Sequence, residues 1–150
     1  MEIYPNVTSI DLKKLIDMGI DLFIFDFDNT INKWKESKIP NEIIQIFNYL
    51  EKNGAKIIIV SNGKPRNLNV NVKTLWLARK PLPFKFKKYL KEKNIKYNKA
   101  VVIGDQLFTD MLFGKLLNAY LIKVEPLDTQ KEFFITKILR FFEKIVLKFF

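Results

Sequence analysis

In the stretch "DLFIFDFDNT", Asp21 to Thr30, two carboxylates, Asp26 and Asp28, stand two residues apart at the end of an apolar run. In a strand, residues two apart point to the same side of the sheet, so both charges are expected together. Their closeness costs free energy, and something bound there must offset it. Two more acids, Asp105 and Asp110, follow the apolar run "VVIG", and "VSN" places Ser61 and Asn62 after another. Such a set can bind a hard metal ion through oxygen and can do nucleophilic or acid–base work with carboxylates.

The chain has no Cys and no His. That excludes disulfides, Cys or His zinc sites, Ser-His-Asp triads and thiol nucleophiles. Catalysis must then run on Asp, Glu, Ser, Thr, Lys or Tyr. At 150 residues, 48% hydrophobic and 28% charged, the chain fits one globular domain, 1–150, with a core of its own. No apolar run approaches the length of a membrane span, and the N-terminus lacks a signal-peptide layout, so the cytoplasm is the expected location. The net charge of +10 points to an anionic partner. It is carried by 23 Lys and only 3 Arg, without a helix-turn-helix, zinc or RNP pattern, so nucleic acid is not the expected partner.

Apolar runs alternate with helix-period segments, the signature of an α/β fold with a parallel sheet flanked by helices. Five strands are expected: Leu22 to Phe27, Lys56 to Val60, Val72 to Ala78, Ala100 to Ile103 and Tyr120 to Val124. Helices are expected at Ile10 to Met18 with Ser9 as cap and Gly19 beyond, at Asn41 to Lys52 with Asn41 as cap and Gly54 as terminator, and at Pro83 to Lys93 and Thr109 to Leu117. A long final helix should run over Thr129 to Phe150. Residues 62 to 71 read as loop. Ligands bind at the carboxyl ends of strands in open α/β sheets, so a central first strand flanked by the second and fourth would gather all the polar groups above.

"DFDNT", "VSN", "ARKP" and "VVIGDQLFTD", in this order, resemble motifs I to IV of the haloacid dehalogenase superfamily of aspartate-nucleophile phosphatases. The resemblance implies a Rossmann-like fold, a Mg²⁺ ion and a phosphorylated substrate. It casts Asp26 as nucleophile and metal ligand, and Asp28 as acid and base whose backbone carbonyl also binds the metal. Ser61 and Lys80 would hold the phosphoryl group, Asp105 would be a metal ligand, and Asp110 would support the metal site. Thr30 and Asn62 would brace the phosphate-binding loops. The segments Ile31 to Pro40 and Asn62 to Arg79 leave no room for a cap domain, so the site should be open, to a large or surface-embedded substrate or to closure by a neighbouring subunit.

A narrower resemblance, carried by "PNVTSIDLKKLIDMGIDLFIFDFDNTI", "GAKIIIVSN" and "GDQLFTD", is to the YqeG-type subfamily IIIA. Relatives of that subfamily include the mitochondrial phosphatidylglycerophosphate phosphatase. It implies an anionic phospholipid substrate. The stretch Ser61 to Ala78 is shorter than is usual there.

The terminal segment fits a lipid surface. At roughly 100° per residue, Thr136, Lys137, Arg140, Glu143, Lys144 and Lys148 share one arc, with Phe134, Ile138, Phe141, Phe142, Ile145 and Phe149 opposite. Such a helix over 130–150 can lie in a membrane interface on the inner face, or pack on the sheet or on another chain. Residues 79 to 99 add nine Lys and Arg against one Glu. Two other readings stay open: a capless phosphatase of a soluble nucleotide or sugar phosphate, covered by an oligomer, and a non-catalytic adaptor with the same fold.

Overall fold

A computed structural model describes residues 1–33, 36–127 and 142–149. The elements are β1 (Glu2–Tyr4), α1 (Leu12–Asp17), β2 (Leu22–Phe25), α2 (Asn41–Lys52), β3 (Lys56–Val60), β4 (Lys73–Leu75), α3 (Phe84–Glu92), β5 (Ala100–Gly104), α4 (Leu112–Leu116) and β6 (Tyr120–Val124). All the strand pairs are parallel, in the order β1-β6-β5-β2-β3-β4. Among the described residues the sheet thus has six strands where five were expected. The extra one, β1, is three residues long, too short to carry a period in the sequence.

β2 lies at the centre because its four residues, "LFIF", are buried on both faces, as a run without alternation requires. Phe23, Phe25, Ile57, Ile59, Val101 and Ile103 pack on one face with Leu15 of α1 and Phe47 and Leu50 of α2. Leu22, Ile24, Ile58, Val60 and Val102 pack on the other with Phe86 of α3 and Phe113 of α4. Phe25 is in register with both Ile59 of β3 and Ile103 of β5. The residues just beyond these three strands therefore emerge side by side. No strand or helix lies in residues 26–40 or 61–72 among the described residues, so neither connection carries a cap.

Several boundaries differ from expectation. β2 stops at Phe25, two residues early, because the backbone then curls over the Phe27 carbonyl. β4 is only Lys73–Leu75. Asn6, whose side chain accepts from Ser9 N, caps a separate 3₁₀ turn at Val7–Ser9, while Asp11 rather than Ser9 caps α1. Asn41 is the first residue of α2, and Pro40 precedes it as a cap without a side-chain bond. The segment expected as one helix from Thr109 opens instead as a π-helical turn at Leu107–Met111 before α4. Gly19 and Gly54 end their helices with φ of +90° and +80°, a conformation glycine adopts without steric cost.

Of the long terminal helix, 142–146 are helical and Leu147–Phe149 form a 3₁₀ turn. Phe134, Thr136, Lys137, Ile138, Arg140 and Phe141 lie outside the described residues. Glu143 was expected on the water-facing arc but is only 8% exposed, whereas Ile145 is 45% and Leu147 53% exposed. The reason is a hydrogen bond: Leu107 N donates to Glu143 Oε1 at 2.7 Å. No described helix is long and apolar enough to cross a membrane.

Candidate active site

Asp26 directly follows the central strand, and its N–H still donates to Ile103 O at 2.9 Å. Beyond it, the N–H groups of Thr30, Ile31 and Asn32 converge on the Phe27 carbonyl, and Asn29 takes a φ of +65°. Asn tolerates that left-handed conformation better than most residues. The curl ends the strand after Asp26, and the two acids, which line one cavity, take different partners. Asp26 turns toward β5 and Lys80, while Asp28 turns to Arg66.

Asp26, Asp105 and Asp110 each offer an oxygen within 4.8 Å of the others. The Asp28 carboxylate is not in this group. Lys80 Nζ donates to Asp26 Oδ1 at 2.8 Å and to Asp110 Oδ1 at 2.6 Å. Thr30 Oγ1 lies 3.0 Å from Asp26 Oδ2 and 3.2 Å from Asp105 Oδ1, so its hydroxyl braces these two acids. Burial alone would depress the Lys80 ammonium, but the charges of Asp110 and Asp26 outweigh it and hold the pKa above the ordinary lysine range. Burial pushes Asp110 up to about 6, with the Asp26 charge adding and Lys80 opposing.

The loops that deliver these groups are tightly specified. Lys80 N donates to Asn62 Oδ1 at 2.7 Å and Asn62 Nδ2 returns a bond to Lys80 O at 3.1 Å. This reciprocal amide pair ties the end of β3 to the lysine. Leu77 and Arg79 have φ of +52° and +61°, at a cost of roughly 1–2 kcal/mol each for non-glycine residues. Asp110 Oδ2 accepts from Gln106 N at 3.1 Å, which folds the π-helical turn back on the acid. A Cβ at Gly104 would lie 2.4 Å from Asp110 Cγ, so only glycine lets the turn close this near to β5.

The donor set fits a hard divalent ion, being entirely carboxylate, largely buried and converging from two strand ends and a turn. Above it opens a cavity of about 230 Å³ lined by Asp26, Asp28, Ser61, Asn62, Gly63, Lys80, Gln106 and Thr109. Ser61 Oγ accepts from Gly63 N at 3.0 Å, which leaves its own O–H to donate to a guest. A larger cavity of about 460 Å³, at the amino ends of β3 and β4 beside Lys56, Lys73 and Asn94, holds no cluster of acids.

Carboxylates, a buried lysine and a serine hydroxyl around a small cavity at strand carboxyl ends suit phosphoryl transfer. Residues 31–118 match the haloacid dehalogenase-like hydrolases. The chain belongs to that family. "Probable phosphatase YqeG" of Bacillus subtilis (strain 168) is 30% identical to it over 151 residues, covering 97% of this chain and 87% of that protein. No solved structure matches the chain at a significant level. The YqeG-type resemblance read from the motifs is the one this comparison returns, and it spans Asp26 and Asp28, which precede the family match.

Two residues of this haloacid dehalogenase-like site escaped the sequence reading. Arg66 NH1 and NH2 donate to Asp28 Oδ1 and Oδ2 at 3.0 and 2.7 Å. Glu143 secures the turn that carries Asp110. Arg66 is one of three arginines in a chain of 23 lysines, and that rarity was a usable signal. Nothing local marked Glu143, because its partner is a backbone N–H 36 residues away.

Proposed function

We propose that the chain is a Mg²⁺-dependent phosphomonoesterase working through an aspartyl-phosphate at Asp26, with phosphatidylglycerophosphate as its substrate. The observation that carries the catalytic reading is the convergence of Asp26, Asp105 and Asp110 within 4.8 Å, with Lys80 bridging Asp26 and Asp110. Asp26, Asp105 and Asp110, with the backbone carbonyl of Asp28, would hold the ion. When bound, it supplies charge that offsets the repulsion between a carboxylate and a phosphate.

Asp26 forms a bond to phosphorus as the ester bond breaks, and the leaving oxygen takes a proton from Asp28. Water then attacks phosphorus, its proton passes to Asp28, and the bond to Asp26 breaks to release phosphate. Lys80 and the Ser61 hydroxyl stabilise the phosphoryl oxygens throughout. Thr30 and the Asn62 pair keep the acids and the lysine in place, so little reorganisation is needed during the reaction.

Three features support a lipid substrate met at the inner membrane face. The cavity, about 230 Å³, has room for a phosphate and part of a headgroup, so the acyl chains of a lipid stay outside. Leu77, Leu82 and Phe84, at 44%, 53% and 71% exposure, flank Lys80 in the sequence, interleaved with exposed Arg79 and Lys85. Exposed apolar groups among cations suit an anionic bilayer surface. Ile145 and Leu147 of the terminal segment are likewise turned to solvent. One domain, 1–150, would thus both dock and react.

The test is phosphate release from phosphatidylglycerophosphate in vesicles, beside nucleotides and sugar phosphates, with Mg²⁺ and with chelator. Mg²⁺-dependent preference for the lipid is expected. Preference for a soluble monoester would overturn the lipid assignment, and undiminished activity of Asp26→Asn would overturn the mechanism.

A further inference from the structure

Asp28 faces the cavity, yet both of its carboxylate oxygens are engaged from behind by Arg66, which does not line it. The guanidinium sits 4.7 Å from the Phe27 ring centroid and 5.2 Å from that of Trp76. Those rings meet edge to face at 5.5 Å, so they form a two-walled slot with the guanidinium lying against its open side. Phe27 separates the two acids in sequence and Trp76 follows β4, so the slot belongs to two different strand ends. The Arg66 and Asp28 side chains are 19% and 16% exposed, so the pair is well shielded from solvent. A Cβ at Gly63 would lie 3.2 Å from Arg66 NH2, so the loop fits closely around it.

A planar fork packed against two rings fixes a carboxylate in direction as well as in charge, which a lysine cannot do. We propose that Arg66 is the positioning residue for Asp28, a role that rests on the proton-exchange reading of Asp28. The fork holds the carboxylate at the cavity wall and keeps one oxygen while the other exchanges the proton. When Asp28 gives its proton to the leaving oxygen it is again a carboxylate, and both oxygens return to Arg66. The aromatic slot keeps the guanidinium fixed during this exchange.

Arg66→Lys keeps the charge and loses the fork; Trp76→Leu keeps the fork and loosens the slot. Each is assayed on glycerol 3-phosphate, whose alkoxide needs a proton to leave, and on p-nitrophenyl phosphate, whose leaving group does not. Both substrates are soluble, so the lipid assignment does not enter. Arg66→Lys should lower kcat on glycerol 3-phosphate by about 10–100-fold, with KM within about two-fold, and change p-nitrophenyl phosphate turnover by less than about three-fold. Trp76→Leu should show the same selectivity to a smaller extent. Equal losses on both substrates, or a rise in KM at unchanged kcat, would overturn the assignment. Asp26→Asn, run alongside, must abolish turnover of both substrates; if it does not, the aspartyl-phosphate reading fails whatever Arg66 does.

Discussion

Lys80 is held between two carboxylates, and the consequence is an acid–base balance that can be read from outside. Asp110 has a folded pKa raised to about 6, against roughly 3.9 for an unfolded Asp. A carboxyl group with a raised folded pKa contributes stability that is present at low pH and lost as pH rises, here between about 4 and 6. Without divalent ions, the melting temperature should fall across that window, and the fall should shrink in Asp110→Asn. Added Mg²⁺ should raise the melting temperature more at pH 7 than at pH 5, because it binds the carboxylate form. Calorimetry with and without chelator checks both. Asp26→Asn should cut phosphate release by about a thousand-fold or more, measured with a coupled phosphate assay.

This residue scale was largely legible in the sequence. Asp26, Ser61, Lys80, Asp105 and Asp110 all lie at the cavity or just beneath it, because acids that follow apolar runs must leave the sheet where the runs end. Asp28 was placed beside Asp26 by strand alternation; both line one cavity, although the strand ends at Phe25 and the Asp28 carboxylate pairs with Arg66 instead of joining the three clustered acids. The partner of Asp28 was illegible, since Arg66 reaches it across a loop of irregular backbone.

At the scale of elements, the five strands β2 to β6 and helices α2 and α3 were readable because β-branched and Phe-rich runs alternate with strong 3.6-residue periods. The π-helical turn was not: it uses the same residue types as a helix, and its shape is set by the bond from Gln106 N to Asp110. Gly104→Ala should expose that dependence. With a Cβ 2.4–2.5 Å from three Asp110 atoms, the acid must move, and activity should fall by about a hundred-fold; kcat compared with the melting temperature checks this.

A second element-scale prediction concerns Asp21, just before β2. Its carboxylate accepts from Asn98 N at 3.0 Å and Lys99 N at 2.9 Å, tying the entry of β5 to that of β2. Although burial opposes it, these bonds hold the Asp21 pKa below the ordinary carboxylate range. A lowered folded pKa means stability that is present above about pH 4 and is lost as pH falls through the folded value. Asp21→Ala should therefore cost about 1–2 kcal/mol at neutral pH, read from urea midpoints, and the cost should vanish in acid.

For the whole molecule, the net charge of +10 and the exposed Leu82 and Phe84, close to Lys80 in sequence, are the features on which the proposed docking to an anionic surface is tested. Leu82→Asp with Phe84→Asp should abolish co-sedimentation with anionic vesicles while leaving p-nitrophenyl phosphate turnover within about two-fold, since neither residue lines the cavity. The family and architecture were legible from four short motifs at strand ends. The burial of Glu143 was not legible, because a helical projection ranks faces by polarity and cannot foresee a polar residue turned inward to meet a backbone donor.

That inward residue bears on how the molecule is made. Leu107 opens the turn that carries Asp110, and its N–H is satisfied by Glu143. A chain leaving the ribosome exposes its amino end first, so Asp26, Ser61, Lys80 and Asp105 are all synthesised before the residue that fastens the turn. The central sheet can assemble early, but the acid turn gains its anchor only once residue 143 has emerged. The turn that carries Asp110 is thereby fastened later than the sheet that presents Asp26 and Asp105.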